Sequence, residues 1–140
     1  MFELLKMAHL ITIAMVSGLL LAHYVALRAS AGRETEAGMA LTRRTLADIT
    51  SFAVAFAWIS GLTLLWSQYG SGDRTLSAWF TAKFLLICVL TIAHIMQRVR
   101  AAQLRRAGDF VRGRRVAERW VSFAWISALF AICFAVIAFK

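Results

Sequence analysis

The chain contains no proline and only two cysteines among its 140 residues. Because proline is the residue that most sharply breaks or kinks a helix, its absence favours long helices without proline kinks. Cys88 and Cys133 form neither a C-x-x-C nor a C-x-x-C-H motif, which argues against a redox dithiol and a covalently attached c-type haem. The sequence also lacks a glycine-rich phosphate loop, a Ser-His-Asp order and paired catalytic carboxylates, so it gives no support to a kinase or hydrolase.

Acidic residues are also scarce: seven against sixteen lysines and arginines, for a formal net charge of +9. Such a balance indicates nucleic-acid binding when the charge covers a soluble face. Here 61% of the residues are hydrophobic, and twelve of the thirteen arginines fall in two blocks, at 28–44 and 98–119, between apolar runs. The pattern therefore predicts a protein of the lipid bilayer with no nucleic-acid partner.

Four apolar segments are long enough to cross a hydrocarbon core, which takes about 20 helical residues. They cover roughly 4–28, 46–67, 77–97 and 119–139. A backbone exposed to lipid must satisfy its own hydrogen bonds, so each segment should be a helix. We expect a single all-α domain, 1–140, in which four transmembrane helices form an antiparallel bundle.

The two arginine blocks set the expected orientation. The connections at 28–45 and 98–118 carry them, whereas the connection between the second and third spans offers only Arg74 against Asp73. By the positive-inside rule the basic connections face the cytoplasm, and both termini lie on the outer, periplasmic side of an inner membrane. The first and third spans then run in the same direction.

Small residues recur every four positions in two of the spans, as Ala14, Gly18, Ala22 and Ala26 and as Ala53, Ala57 and Gly61. Such stripes let membrane helices approach closely. We expect them to serve contacts within the bundle or between protomers of a homo-oligomer.

Ionisable side chains inside a membrane span are costly, so they are candidates for function. His9 and His23 lie fourteen residues apart on the first span, within about 40° of each other around the helix. Lys83 and His94 lie eleven residues apart on the third span, within about 20°. Since these two spans run in the same direction, His9 should lie level with Lys83, and His23 level with His94.

Two histidines at one depth are what a six-coordinate haem b requires, because neutral imidazoles supply its axial nitrogens. His23 and His94 are therefore candidate metal ligands, with Trp58, Phe56 and Phe84 as candidate walls of the haem slot. The alternatives are that these histidines only form hydrogen bonds between helices or contact a quinone.

His9 and Lys83 suggest proton chemistry. A lysine that is shielded from water gives up its proton more easily, and histidine relays protons near neutral pH. Either residue can bind a carboxylate substrate or move protons during its oxidation. The alternative is that Lys83 only extends towards the outer interface.

Several motifs resemble the HemJ family of membrane protoporphyrinogen IX oxidases, which is related to CopD-type copper-resistance proteins. Leu5-Lys6-Met7-Ala8-His9 resembles the family's L-K-x-x-H start, and Trp79, Lys83 and His94 reproduce its W-x3-K-x10-H spacing. Arg43-Arg44 before a span with Gly61, and Glu118 before a last span ending in Lys140, are similar to its second and fourth helices.

The resemblance implies an inner-membrane protein that binds haem b and oxidises protoporphyrinogen IX to protoporphyrin IX. Six electrons and six protons leave the porphyrinogen substrate, and the electrons pass to a quinone or another respiratory-chain acceptor. For such a protein we assign His23 and His94 in this sequence as haem ligands, His9 and Lys83 to substrate or proton handling, and Arg43 and Arg44 to the propionates at the cytoplasmic face.

Two other functions fit the same residues. The first is a b-type cytochrome or haem-binding module without porphyrinogen chemistry. The second is CopD-like copper transport through histidine and methionines such as Met7, Met15 and Met96, although the chain has no Met-x-x-Met cluster.

Overall fold

The computed structural model describes residues 2–30, 37–70 and 78–138, and it is all-helical. The four helices are α1 (Phe2–Ala29), α2 (Ala37–Tyr69), α3 (Ala78–Arg106) and α4 (Phe110–Ala138). Arg33, Asp73, Arg74, Lys140 and the Trp79 side chain, which entered the predictions above, lie outside what the structure describes.

Each helix contains a stretch long and apolar enough to cross a membrane. The mean hydropathy of the apolar 18-residue stretch is 2.1 in α1, 1.7 in α2 and α3, and 1.4 in α4. The structure confirms the predicted all-α class with four helices, each long and apolar enough to span a membrane.

The helices are longer than the apolar segments at the arginine-rich ends. α2 begins at Ala37 rather than near residue 46, α3 continues to Arg106, and α4 begins at Phe110 rather than near residue 119. Much of the two predicted basic connections is therefore helical. The added segments are rich in alanine and arginine, which are strong helix formers even where hydropathy is low.

The directions of the helices follow from side-chain contacts between them. Arg28, near the end of α1, lies 3.5 Å from Glu118, near the start of α4, and Asp48 of α2 lies 2.6 Å from Arg98 of α3. Neighbouring helices are thus antiparallel, and α1 runs parallel to α3, as predicted. We call the end of the bundle where α1 and α3 finish and α2 and α4 begin the basic end.

The packing around the bundle is uneven. α3 and α4 pack most closely, α1 packs on both α2 and α4, and α2 approaches α3 mainly through long side chains. The tight α3–α4 corner depends on Gly108, whose φ of +77° favours glycine. The amides of Gly108 and Asp109 donate to the carbonyls of Arg105 and Leu104, which is the Schellman arrangement.

Small side chains make up most of the buried face of α4, and many of the large apolar side chains of the other helices face outward. One face of α4 buries the residues Ala117, Val121, Ala124, Ala128 and Ala131. By contrast Phe52, Ile59 and Trp66 of α2 are 64–79% exposed. This distribution suits a protein surrounded by lipid, where helices associate through close backbone approach.

The small-residue stripe of α1 does not pack within the bundle, so contacts between protomers are the expectation that remains for it. Ala14, Gly18 and Ala22 lie on its exposed face, and a Cβ added at Gly18 would meet nothing within 4 Å. In α2 the prediction fits better, because Gly61 is in close contact with α1. The most buried small-residue face belongs to α4, where no stripe was predicted.

Candidate functional site

His23 and His94 are buried in the half of the bundle nearer the basic end. Only 2% of His23 and 4% of His94 is exposed. The two imidazoles lie within electrostatic range of each other, so the predicted level pairing of α1 with α3 is present. In each ring Nδ1 is buried and has no hydrogen-bond partner among the described residues.

His94 is held by a polar network that reaches across to α2. Its Nε2 lies 2.9 Å from Ser51 Oγ, and Arg98 donates to the same oxygen at 2.8 Å. Ser51 also contacts the Ala47 carbonyl at 2.9 Å, while Arg98 pairs with Asp48. The arrangement that satisfies all these contacts has His94 Nε2 donating its N–H to Ser51, which leaves Nδ1 as a bare lone pair.

His9 repeats this arrangement near the opposite end of the bundle. Its Nδ1 lies 2.8 Å from Ser60 Oγ, and Ser60 donates to the Phe56 carbonyl at 2.8 Å. The ring also packs on Gly61, where an added Cβ would lie only 3.0 Å from His9 Cε1. Partly buried Lys83 lies within electrostatic range of the ring, as the level pairing predicted.

Trp58 crosses the gap between α2 and α3 in the stretch that separates the two histidine levels. Its indole N–H donates to Thr91 Oγ1 at 2.9 Å, and its ring meets Phe84 edge-on with centroids 5.6 Å apart. The expectation that Phe56 also lines an internal slot is wrong, because half of that side chain is exposed on the outer surface. Trp58 and Phe84 thus form the aromatic contact between these helices.

A cavity of about 770 Å³ opens at the basic end, beside His23. Of the described residues that line it, five are arginines and none is acidic. The arginines are Arg43, Arg44, Arg98, Arg105 and Arg114. The structure therefore brings the predicted Arg43 and Arg44 into the same cavity as His23, with three further arginines.

Arg43 and Arg114 are both fixed at the end of α1. Arg114 donates to the Ser30 carbonyl at 2.8 Å, and Arg43 contacts Ser30 Oγ at 3.4 Å. Arg43 lies within electrostatic range of Arg105 and Arg114, so α2, α3 and α4 each bring a guanidinium to this point.

Comparison of the chain with protein-family models, curated proteins and solved structures finds no match.

Within the part of the chain that the structure describes, no group of three or more His, Cys, Asp or Glu side chains is arranged to hold a metal ion. A haem iron needs only two axial ligands, so this finding bears on a protein-only metal site rather than on His23 and His94. Met7 and Met15, which entered the copper alternative, are more than half exposed on the outer surface of α1.

Sequence reasoning missed the polar neighbours of the histidines. Ser51, Ser60 and Gln97 are uncharged, so a search for ionisable side chains within spans passes over them. Gln97 and Arg98 could nevertheless have been found from the sequence, because they follow His94 by three and four residues and thus share its helix face.

Proposed function

We propose that this chain is a haem b protein of the HemJ type that oxidises protoporphyrinogen IX in a bacterial inner membrane. The observation that carries the proposal is the His23–His94 pair. Two buried imidazoles on α1 and α3 interact electrostatically, and each keeps an unpartnered ring nitrogen.

The donor set suits a low-spin haem. Neutral imidazoles are the usual axial ligands of such haems, and a second hydrogen bond from the ligating ring fixes its tautomer and orientation. In His94 the contact of Nε2 with Ser51 serves this purpose and leaves Nδ1 for the iron. The adjoining cavity, which His23 lines and His94 does not, lies within the usual 300–1,000 Å³ range of ligand pockets.

Bound haem would supply a one-electron carrier between the substrate and the electron acceptor. The full oxidation releases six electrons and six protons from the porphyrinogen, which three quinones take up as three quinols. In this proposal Arg43 and Arg44 would bind the propionates of the haem, since guanidinium groups pair well with carboxylates. Lys83 and His9 accept and pass on substrate protons, with Ser60 holding the His9 ring.

The first test is a reduced-minus-oxidised absorbance spectrum of the full chain purified in detergent. We expect a sharp b-type α-band in the wild type, and its loss or displacement in both His23→Ala and His94→Ala. His9→Ala is the matched control, since it also removes a buried histidine but should keep the band. A wild-type protein that is colourless and takes up no added haemin would refute the haem assignment.

The second test separates the enzyme from a b-type cytochrome without porphyrinogen chemistry. The gene should restore growth to a bacterial host that lacks its protoporphyrinogen oxidases, and His9→Ala and Lys83→Met should abolish this rescue while keeping the α-band. A wild-type protein that binds haem without rescuing the host would refute the enzymatic proposal and favour the cytochrome. Copper transport would be favoured only if both tests failed and the chain bound copper(I).

A further inference from the structure

We propose that the cavity at the basic end is an oxyanion-binding site, in which Arg43, Arg105 and Arg114 hold a ligand that carries carboxylate or phosphate groups. At Arg43 the site overlaps the proposed function, which gives that residue to the propionates, and it rests on that function only where the ligand is a tetrapyrrole. The parts given to Arg105 and Arg114, and a lipid as ligand, go beyond it.

The first argument is charge. Arg43 of α2 lies within electrostatic range of both Arg105 of α3 and Arg114 of α4, and all three line one cavity. Like charges repel, and the cost rises where burial removes water. Arg98 has its own partner in Asp48, but no carboxylate among the described residues pairs with Arg43, Arg105 or Arg114. An anion bound among them offsets this cost.

The second argument is an unpartnered donor on the cavity wall. Arg114 Nε is buried and has no hydrogen-bond partner among the described residues. Buried polar groups are nearly always paired, so an unpaired guanidinium N–H that lines a cavity indicates a ligand with an acceptor oxygen.

The third argument is preorganisation. Ser30 accepts from Arg114 through its carbonyl and contacts Arg43 through its hydroxyl, so both guanidinium groups are oriented before a ligand arrives. The contact uses one terminal nitrogen of Arg114 and leaves Nε–H free to donate. Guanidinium groups held in this way suit the paired oxygens of a carboxylate or phosphate.

Two sources can present such oxygens at this end of the bundle. One is the propionates of a tetrapyrrole, and the other is the phosphate of an anionic phospholipid. Exposed Phe110 and Val111 line the cavity together with the arginines, so an apolar ligand body can lie beside its charged group. The shared chemistry is an oxyanion attached to an apolar body.

The test compares two triple variants of the full chain in lipid nanodiscs. The cavity variant is Arg43→Gln, Arg105→Gln and Arg114→Gln. The control variant is Arg100→Gln, Arg112→Gln and Arg115→Gln, which removes the same charge from exposed arginines that do not line the cavity.

Three probes are used. Quenching of tryptophan fluorescence reports binding of protoporphyrin IX against its dimethyl ester, which lacks the free carboxylates. The thermal unfolding midpoint reports stabilisation by phosphatidylglycerol against phosphatidylcholine. Inorganic phosphate, added to the protein in detergent, shows whether an oxyanion without an apolar body is sufficient for binding.

We expect one of two results for the wild type and the control variant. Either their dissociation constant for protoporphyrin IX is lower than that for the dimethyl ester by about tenfold or more, or phosphatidylglycerol raises their unfolding midpoint above the value in phosphatidylcholine. The cavity variant should lose that preference. Preference for protoporphyrin assigns the site to tetrapyrrole carboxylates, and preference for phosphatidylglycerol assigns it to a lipid. Phosphate binding that is lost in the cavity variant alone also supports the site.

Equal effects of the two triple variants would overturn the proposal. A wild type that prefers no anionic probe would also overturn it. If the cavity variant does not fold, Arg114→Lys replaces it, since lysine keeps the charge but loses the fork. Arg114→Lys should then weaken binding at least threefold relative to Arg115→Lys, and equal affinities would overturn the proposal.

The α-band is recorded separately, so failure of the haem assignment is not confused with failure of this site.

Discussion

Gly61 is the residue whose side-chain volume most directly controls the position of His9. A methyl group added there would lie 3.0 Å from His9 Cε1, so Gly61→Ala must displace the ring and loosen its bond to Ser60. We expect a loss of about 1–3 kcal/mol in the free energy of unfolding, typical of overpacking. The measurement is denaturation of the purified protein, followed by circular dichroism.

Gly18→Ala is the matched control for that prediction. It makes the same change within a helix, at a position with nothing within 4 Å. Because alanine is the better helix former, this variant should be neutral or slightly more stable. Equal destabilisation by the two variants would contradict the proposed contact with His9.

Ser51 is predicted to orient His94. Ser51→Ala leaves His94 Nε2 and one Arg98 nitrogen without their shared partner, which should cost about 1–3 kcal/mol. It should also shift the α-band or the midpoint potential of bound haem, which redox titration measures. Ser122→Ala is the control, because the Ser122 hydroxyl donates to the Glu118 carbonyl of its own helix. It should change neither the stability nor the haem properties. Equal changes in the two variants would contradict the orienting role of Ser51.

At the scale of the element, α4 is predicted to be the helix least tolerant of larger side chains. Ala124 is completely buried where α4 meets its neighbours, so Ala124→Leu should force the helices apart and cost about 1–3 kcal/mol or more. Resistance to unfolding in a titration with sodium dodecyl sulfate measures this loss. The bundle would have to pack differently if the variant were as stable as the wild type.

Ala22→Leu on the exposed face of α1 is the corresponding control. A leucine there meets the surrounding lipid, so the monomer should keep its stability. Light scattering of the detergent-solubilised protein adds a second result. A change from dimer to monomer on Ala22→Leu would assign the α1 stripe to contacts between protomers, as one of the two sequence-based expectations had it.

At the scale of the whole molecule, the distribution of charge predicts the orientation in the membrane. The eleven arginines that the structure describes all lie towards one end, so that end should stay in the cytoplasm. Alkaline phosphatase, which is active only outside the cytoplasm, should be active when fused after Lys140 and inactive when fused after Gly108. The reverse pattern would contradict both the orientation and a cytoplasmic opening of the cavity.

The sequence predicted the levels of the histidines but not their partners. Helical periodicity fixes where His9, His23 and His94 lie along and around their own helices, so the two level pairs could be worked out in advance. The partners Ser51 and Ser60 depend on how far α2 is rotated relative to α1 and α3. The hydropathy of α2 does not reveal that rotation, because apolar residues occur on all of its faces.

By itself the sequence determined that the chain is all-helical, that four of its segments can cross a membrane, and which end carries the arginines. These properties are local, since they follow from apolar length, helix propensity and charge. Only the tertiary structure decided that α4 supplies the buried small-residue face, that α2 and α3 meet mainly through side chains, and that Arg43, Arg105 and Arg114 converge at one cavity. Convergence depends on the rotation and axial register of separate helices, which contacts between distant residues establish.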